Sequence, residues 1–301
     1  MKGTEKYRFN LKEEKMERQA GTLIFWEISD LTTTKDRIAD LGFEEFIPKN
    51  DYRAAMVKTL RKISKDKHRF PRKFNDKPDS VSFGVFLENV SGEDLSFEKE
   101  MIVHLDKKTG SIDIRGGTTE MRDKVSSEYR EAQKTIDSAQ FRTLVLRIVK
   151  RECYGISMRK SGGIYFIDEK FKETMSRLIG LFSSFSECEL HRVPIYNDPG
   201  TQEAIEHAVK EDIATEIINI VKKVHEKMKD GSLTRRGLEG KVKEADTVFE
   251  KIEIHASNLR GKLKSITEQV ESARKHFNSM LENADQVALD PEDFMEELQN
   301  L

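Results

Sequence analysis

The stretch Ser80-Val81-Ser82-Phe83-Gly84-Val85-Phe86-Leu87-Glu88-Asn89-Val90-Ser91-Gly92-Glu93-Asp94 decides how the chain is read. β-Branched and aromatic residues recur through 80–90, and Ser91-Gly92-Glu93-Asp94 supplies the small and acidic residues of a turn. A second apolar run, 97–105, follows, and Lys107-Lys108-Thr109-Gly110 leads into a third strand at 111–114. Short turns between strands, with helical patterns ahead of them, predict an antiparallel meander in an α+β module rather than a βαβ series.

Towards the N-terminus, Thr22-Leu23-Ile24-Phe25-Trp26-Glu27-Ile28 predicts a buried strand. Thr33 or Thr34 can cap a short helix through Ile38 and Leu41 that Gly42 closes. Asp51 caps another, with Ala55, Met56, Leu60 and Ile63 on one face. Towards the C-terminus, Gly116-Gly117-Thr118 ends the meander and opens helices near 119–133 and 138–152. Segments 156–159 and 164–168 flank Lys160-Ser161-Gly162-Gly163 as a hairpin. A helix over 171–185 and a strand over 187–196, expected to return to that hairpin, follow.

Asn197-Asp198-Pro199-Gly200 punctuates the chain, and beyond it the pattern is helical. Ile205, Val209, Ile213, Ile217, Ile220 and Val224 share one face of a helix over 201–229, and Ser232 is expected to cap the next. From there Leu238, Val242, Ala245, Phe249, Ile252, Ala256, Leu259, Leu263, Ile266, Val270, Ala273, Phe277 and Met280 recur at alternating steps of four and three. That spacing predicts a coiled coil about 64 Å long. Alternation of bulky and small residues favours an antiparallel partner. The preceding helix can fold back as that partner but is too short to cover the whole seam, so the remainder needs another chain, another domain or a different packing mode. The expected organisation is a charged leader (1–20), an α+β module (21–117), helices with a β-hairpin (118–197), a helical hairpin and coiled coil (198–285) and an acidic amphipathic tail (286–301).

Across 301 residues, 52 basic and 54 acidic side chains leave a formal charge of −2, which argues against a globally basic nucleic-acid coat. Charge is instead segregated. Lys58, Arg61, Lys62, Lys65, Lys67, Arg69, Arg72 and Lys73 face only Asp66, a local +7, and Phe70 and Phe74 interleave with them. That combination suits phosphate contact with base stacking, and equally a solvated helix face and loop. Residues 282–301 carry −7 and no basic residue, with Phe294, Leu298 and Leu301 at helical spacing for docking on a partner. Head and tail can therefore meet within an assembly. The two cysteines, Cys153 and Cys188, read as reduced thiols, and neither a signal peptide nor a membrane span is legible, so a cytoplasmic protein is expected.

Other constellations are read against plainer alternatives. Arg159 and Lys160 sit on a wing-like hairpin tip that also suits an ordinary soluble turn. Arg115-Gly116-Gly117-Thr118-Thr119 joins a strand end to a helix start, where backbone N–H groups can hold phosphate or a simple N-cap suffices. Asp79, Asp106 and Lys108 loosely match the acid–acid–lysine set of metal-dependent nucleases, a pattern that a highly charged chain also produces by chance. Glu187, Glu189 and His191 alternate onto one strand face, either as metal ligands or as a solvated edge. No catalytic residue, metal or cofactor is assigned.

Gly21-Thr22-Leu23-Ile24-Phe25-Trp26-Glu27-Ile28, then Gly162-Gly163-Ile164-Tyr165-Phe166-Ile167, then a charged helical C-terminus, resemble in their order over roughly residues 20–230 an uncharacterised family of bacterial and phage proteins. The resemblance implies a bacterial or phage setting and brings no activity. The expected function is that of a non-enzymatic adaptor or inhibitor. It self-associates through Leu238, Val242, Phe249, Ile252, Leu259, Leu263, Ile266, Val270 and Phe277, and its α+β head binds another protein. Sequence-independent nucleic-acid binding is the alternative, and a metal-dependent nuclease the third reading.

Overall fold

The computed structural model describes residues 19–64, 68–91, 94–256 and 275. It is a mixed α/β structure with antiparallel sheets, and it divides into two compact units. One comprises residues 28–144; the other joins the N-terminal segment to everything from 145 onward.

In the 28–144 unit, β2 (Thr32–Thr34) pairs antiparallel with β7 (Thr135–Asp137), and Thr34 caps α1 (Lys35–Asp40). Asp51 caps α2 (Tyr52–Ile63), accepting from the Ala54 N–H at 2.8 Å. The meander comprises β3 (Arg69–Asp76), β4 (Ser80–Ser91), β5 (Asp94–Asp106) and β6 (Ile112–Gly116), in that spatial order. The first of these begins within the basic run expected to be a helix face and loop. Its alternation is masked by charge and by Pro71, which a strand tolerates at a sheet edge because its missing N–H leaves no ladder bond unmade there. Met56, Leu60 and Ile63 of α2, with Val125 and Tyr129 of α3 (Thr119–Lys134), pack on Val81, Phe83, Val85, Met101, Val103 and Leu105. Strand alternation sends the intervening residues to the other face of the sheet. α4 (Ser138–Arg151) follows, and the division between the units falls within it.

In the other unit, β1 (Gln19–Ile28) lies inside a four-stranded sheet, between β9 (Tyr165–Asp168) and β10 (Cys188–Tyr196), with β8 (Ile156–Ser157) on the far edge. The hairpin forms as expected, but β10 does not return to it: β1 intervenes. α5 (Lys172–Ser183) connects β9 to β10 and buries Met175, Leu178, Leu181 and Phe182. Asp198 caps α6 (Pro199–Lys229), with Pro199 in the first turn. Thr234, not Ser232, starts α7 (Arg235–Ala256), accepting from the Gly237 N–H at 3.1 Å. The Ser232 N–H is instead taken by Asp230 at 2.9 Å.

α7 folds back along α6, and their apolar faces share one core with Ile156 and Phe166 of the sheet. One core thus spans the punctuation at 197–200, formed by α6, α7 and residues of the sheet. Leu238 and Phe249 are buried there and Val242 is partly buried. This stretch of the expected seam is satisfied within the chain. Leu259, Leu263, Ile266, Val270 and Phe277 lie outside the described residues, as do the side chain of Ile252 and the tail with Phe294, Leu298 and Leu301. Among the described residues no helix is long and apolar enough to cross a membrane.

Candidate nucleic-acid interface

The basic run at 58–73 does not form one surface. Because α2 turns Met56, Leu60 and Ile63 onto the inner face of the sheet, Lys58, Arg61 and Lys62 point away from it and are exposed. Phe70 and Arg72 belong to the opposite, outer face, since Lys73 between them and Phe74 pairs in register with inward-facing Phe83. Lys65 and Lys67 lie outside the described residues. The described cations of the run are thus divided between two sides of one unit.

On the helix side, Lys58, Arg61 and Lys62 line a groove of about 890 Å³ together with Lys35 and Arg53. Its other walls are the end of α3 at Ala132 and Gln133 and the start of α4 at Ala139 and Gln140. Five cations face two carboxylates, Asp51 and Asp137. Both acids already hold helix starts: Asp51 caps α2, and Asp137 accepts from the Gln140 N–H at 3.0 Å. Partial burial opposes ionisation of Asp137, but the Gln140 N–H, Lys58 and the Ala139 N–H outweigh it and hold the carboxyl below its ordinary range. Burial lowers the Lys35 ammonium, whose side chain reaches Asn50.

Several of these cations have partly exposed partners. Lys58 meets Asp137 at 3.1 Å, Lys62 meets Glu128 at 2.6 Å and Arg53 meets Asp76 at 3.5 Å. Solvated pairs of this kind are worth about 0–1 kcal/mol each, so a phosphate can exchange for the carboxylate at little cost. Arg69 and Lys73 are tied elsewhere. Arg69 makes two hydrogen bonds with Glu100, at 2.6 and 2.9 Å, and Lys73 meets Asp76 at 2.8 Å. Asp76 also receives Lys107, and its carboxyl is held well below the usual range by those lysines.

Lys35 and Arg53 were missed by the sequence reading. Arg53 lies two turns before Arg61 and could have been found by helical spacing; Lys35 comes from another element and carried no local signal. Arg159 and Lys160 belong to the other unit, where Lys160 meets Glu211 of α6 at 3.1 Å and Gly162 and Gly163 take positive φ in the turn.

The side chains of the remaining constellations have local partners. Asp106 accepts from the backbone N–H groups of Lys108 and Thr109, both at 2.8 Å, closing the β5–β6 turn, and Lys108 meets exposed Asp79 at 2.9 Å. Thr118 caps α3 at 3.2 Å. His191 lies on the Phe25 ring at 4.6 Å and meets Glu189 at 3.6 Å. Among the described residues, no group of three His, Cys, Asp or Glu side chains is placed to hold a metal ion. Cys153 is buried, which pushes its thiol up to about 12 and leaves it unreactive at neutral pH.

A polar cluster inside the other unit carries no local signal in the sequence. Lys251 and Asp212 are an ion pair buried between α7 and α6, with Glu216 3.5 Å from Lys251 and also bound by Lys150. No curated protein and no solved structure matches the chain. The model of a family of unknown function, DUF6744, matches residues 20–286, most of the chain, and the protein belongs to that family.

Proposed function

We propose that the protein binds nucleic acid through the phosphates, independently of sequence, using the 28–144 unit. The segment beyond 256, with its heptad spacing of apolar residues, brings copies together. The observation that supports the binding role is the groove in which Lys35, Arg53, Lys58, Arg61 and Lys62 outnumber the carboxylates. Cations gathered on one wall of a groove attract a phosphodiester backbone and release its counterions, whatever the bases. Self-association rests on the unbroken spacing of Leu259, Leu263, Ile266, Val270 and Phe277, which Leu238 and Phe249 do not complete because they face α6.

Charge reversal tests the groove. Lys58→Glu, Arg61→Glu and Lys62→Glu together should abolish a mobility shift of a 20-base-pair duplex at 50 mM salt. The corresponding Gln substitutions, which disturb folding less, should weaken it by at least tenfold. An undiminished shift with either set overturns the reading. Light scattering at micromolar concentration tests association, and a monomer contradicts it.

A further inference from the structure

We propose that the outer face of the β3–β6 sheet is a stacking platform for unpaired bases, so that single-stranded nucleic acid is the preferred ligand class. The proposal adds a second surface to the phosphate-binding groove and stands on different residues.

Four phenylalanines gather on this face. Phe70 pairs in register with Phe86, and their rings lie 5.8 Å apart and nearly parallel, at 16°. Phe97 meets Phe70 edge-on at 5.3 Å. Phe86 and Phe74 lean over Gly84: a Cβ there would come within 2.6 Å of the Phe86 ring and 3.5 Å of the Phe74 ring. Glycine at the middle of the face is what lets the Phe86 ring lie low against the sheet, and a Cβ would meet Phe74 only at ordinary contact distance. Phe74 and Phe97 nevertheless remain 54% and 52% exposed. The inner face of the same sheet is buried beneath α2 and α3, so the exposed rings are not needed for the core.

What distinguishes this patch from a protein-docking face is the charge set among the rings. The Arg72 guanidinium lies 5.2 Å from the centroid of Phe70, and Lys99, in register with Phe86, is exposed. Arg115 and Arg72 flank Gly84 and Ile102 on one rung of the ladder. Among the described residues the acidic side chains in register on this face are Glu88, Asp106 and Asp113; Asp106 is held by the Lys108 and Thr109 N–H groups of the turn and Asp113 by Arg115 at 2.9 Å. Rings that offer π-faces, interleaved with cations, match a chain of bases joined by phosphates. A duplex hides its base faces and gains nothing from the rings.

The test uses the full chain with fluorescein-labelled dT20 and a 20-base-pair duplex, read by anisotropy. Phe74→Ala with Phe97→Ala removes two exposed rings without opening the core. It should weaken dT20 binding about tenfold or more and leave the duplex unchanged. Phe97→Trp provides a direct reporter, whose emission dT20 should quench and the duplex should not. Unchanged dT20 affinity, or equal losses on both ligands, overturns the platform. So does a changed assembly mass on light scattering with dT20 binding intact, which assigns the face to self-association. The groove reversals separate the two proposals: they should weaken both ligands. If they leave both intact while the Phe variants act, the groove fails and the platform stands.

Discussion

His255, in the last turn of α7, is 1% exposed, and its Nε2 lies 3.0 Å from the Tyr154 carbonyl, to which the N–H donates. Burial lowers its pKa to about 4 against the pull of that carbonyl and of Asp168. A histidine neutral when folded and protonated when unfolded makes the folded state lose stability as pH falls from about 6.5 towards 4. On this group alone we expect a loss of roughly 2 kcal/mol between pH 7.5 and 5, measured by urea unfolding, and a smaller pH dependence in His255→Gln. Lys251 is a second buried charge. Lys251→Ala strands the Asp212 carboxylate and should cost about 3–5 kcal/mol. Lys251→Met with Asp212→Leu should recover most of it, because both charges leave together. Equal losses in the single and double variants would contradict this account of the pair.

At the scale of elements, the apolar stripe of α7 serves its own chain. Leu238→Ala and Phe249→Ala should each lower stability by about 2–5 kcal/mol without dissociating an assembly, since both side chains lie in the core shared with α6 and the sheet. If either instead shifted the assembly state at unchanged stability, the seam would be intermolecular. Gly21 fixes the central strand: a Cβ there would run into the Ile167 carbonyl and the Phe166 ring, so Gly21→Val should cost about 1–3 kcal/mol by thermal unfolding. The helices and the middle strands were legible because their periods and caps are local: Asp51 and Thr118 mark their helices in both sequence and structure, while Asp198 read only as punctuation and proves to cap α6. The partners of β1 were not, since Thr22–Ile28 reads the same at an edge or in the middle of a sheet. β3 was hidden because only one of its sides has a neighbour, and Arg69, Arg72 and Lys73 break the apolar pattern that a buried strand would show.

For the whole molecule, an even balance of charge conceals separation at two levels. The −2 of the chain contains the +7 run and the −7 tail, and the run itself divides between a cationic groove and an aromatic face on opposite sides of one unit. The cations of the groove were partly legible: Lys58, Arg61 and Lys62 share a helix face. Lys35 reaches them only through tertiary structure, and so do Phe86 and Phe97, which join Phe70 through strand pairing. The most direct test of the phosphate-binding account is the salt dependence of dT20 binding by the full chain. We predict micromolar affinity at 50 mM salt and a logarithmic salt slope of about −2, as expected for some three phosphates on a single strand, flattened when Lys58, Arg61 and Lys62 are reversed to Glu. No binding at 50 mM salt, or a slope near zero, would contradict it.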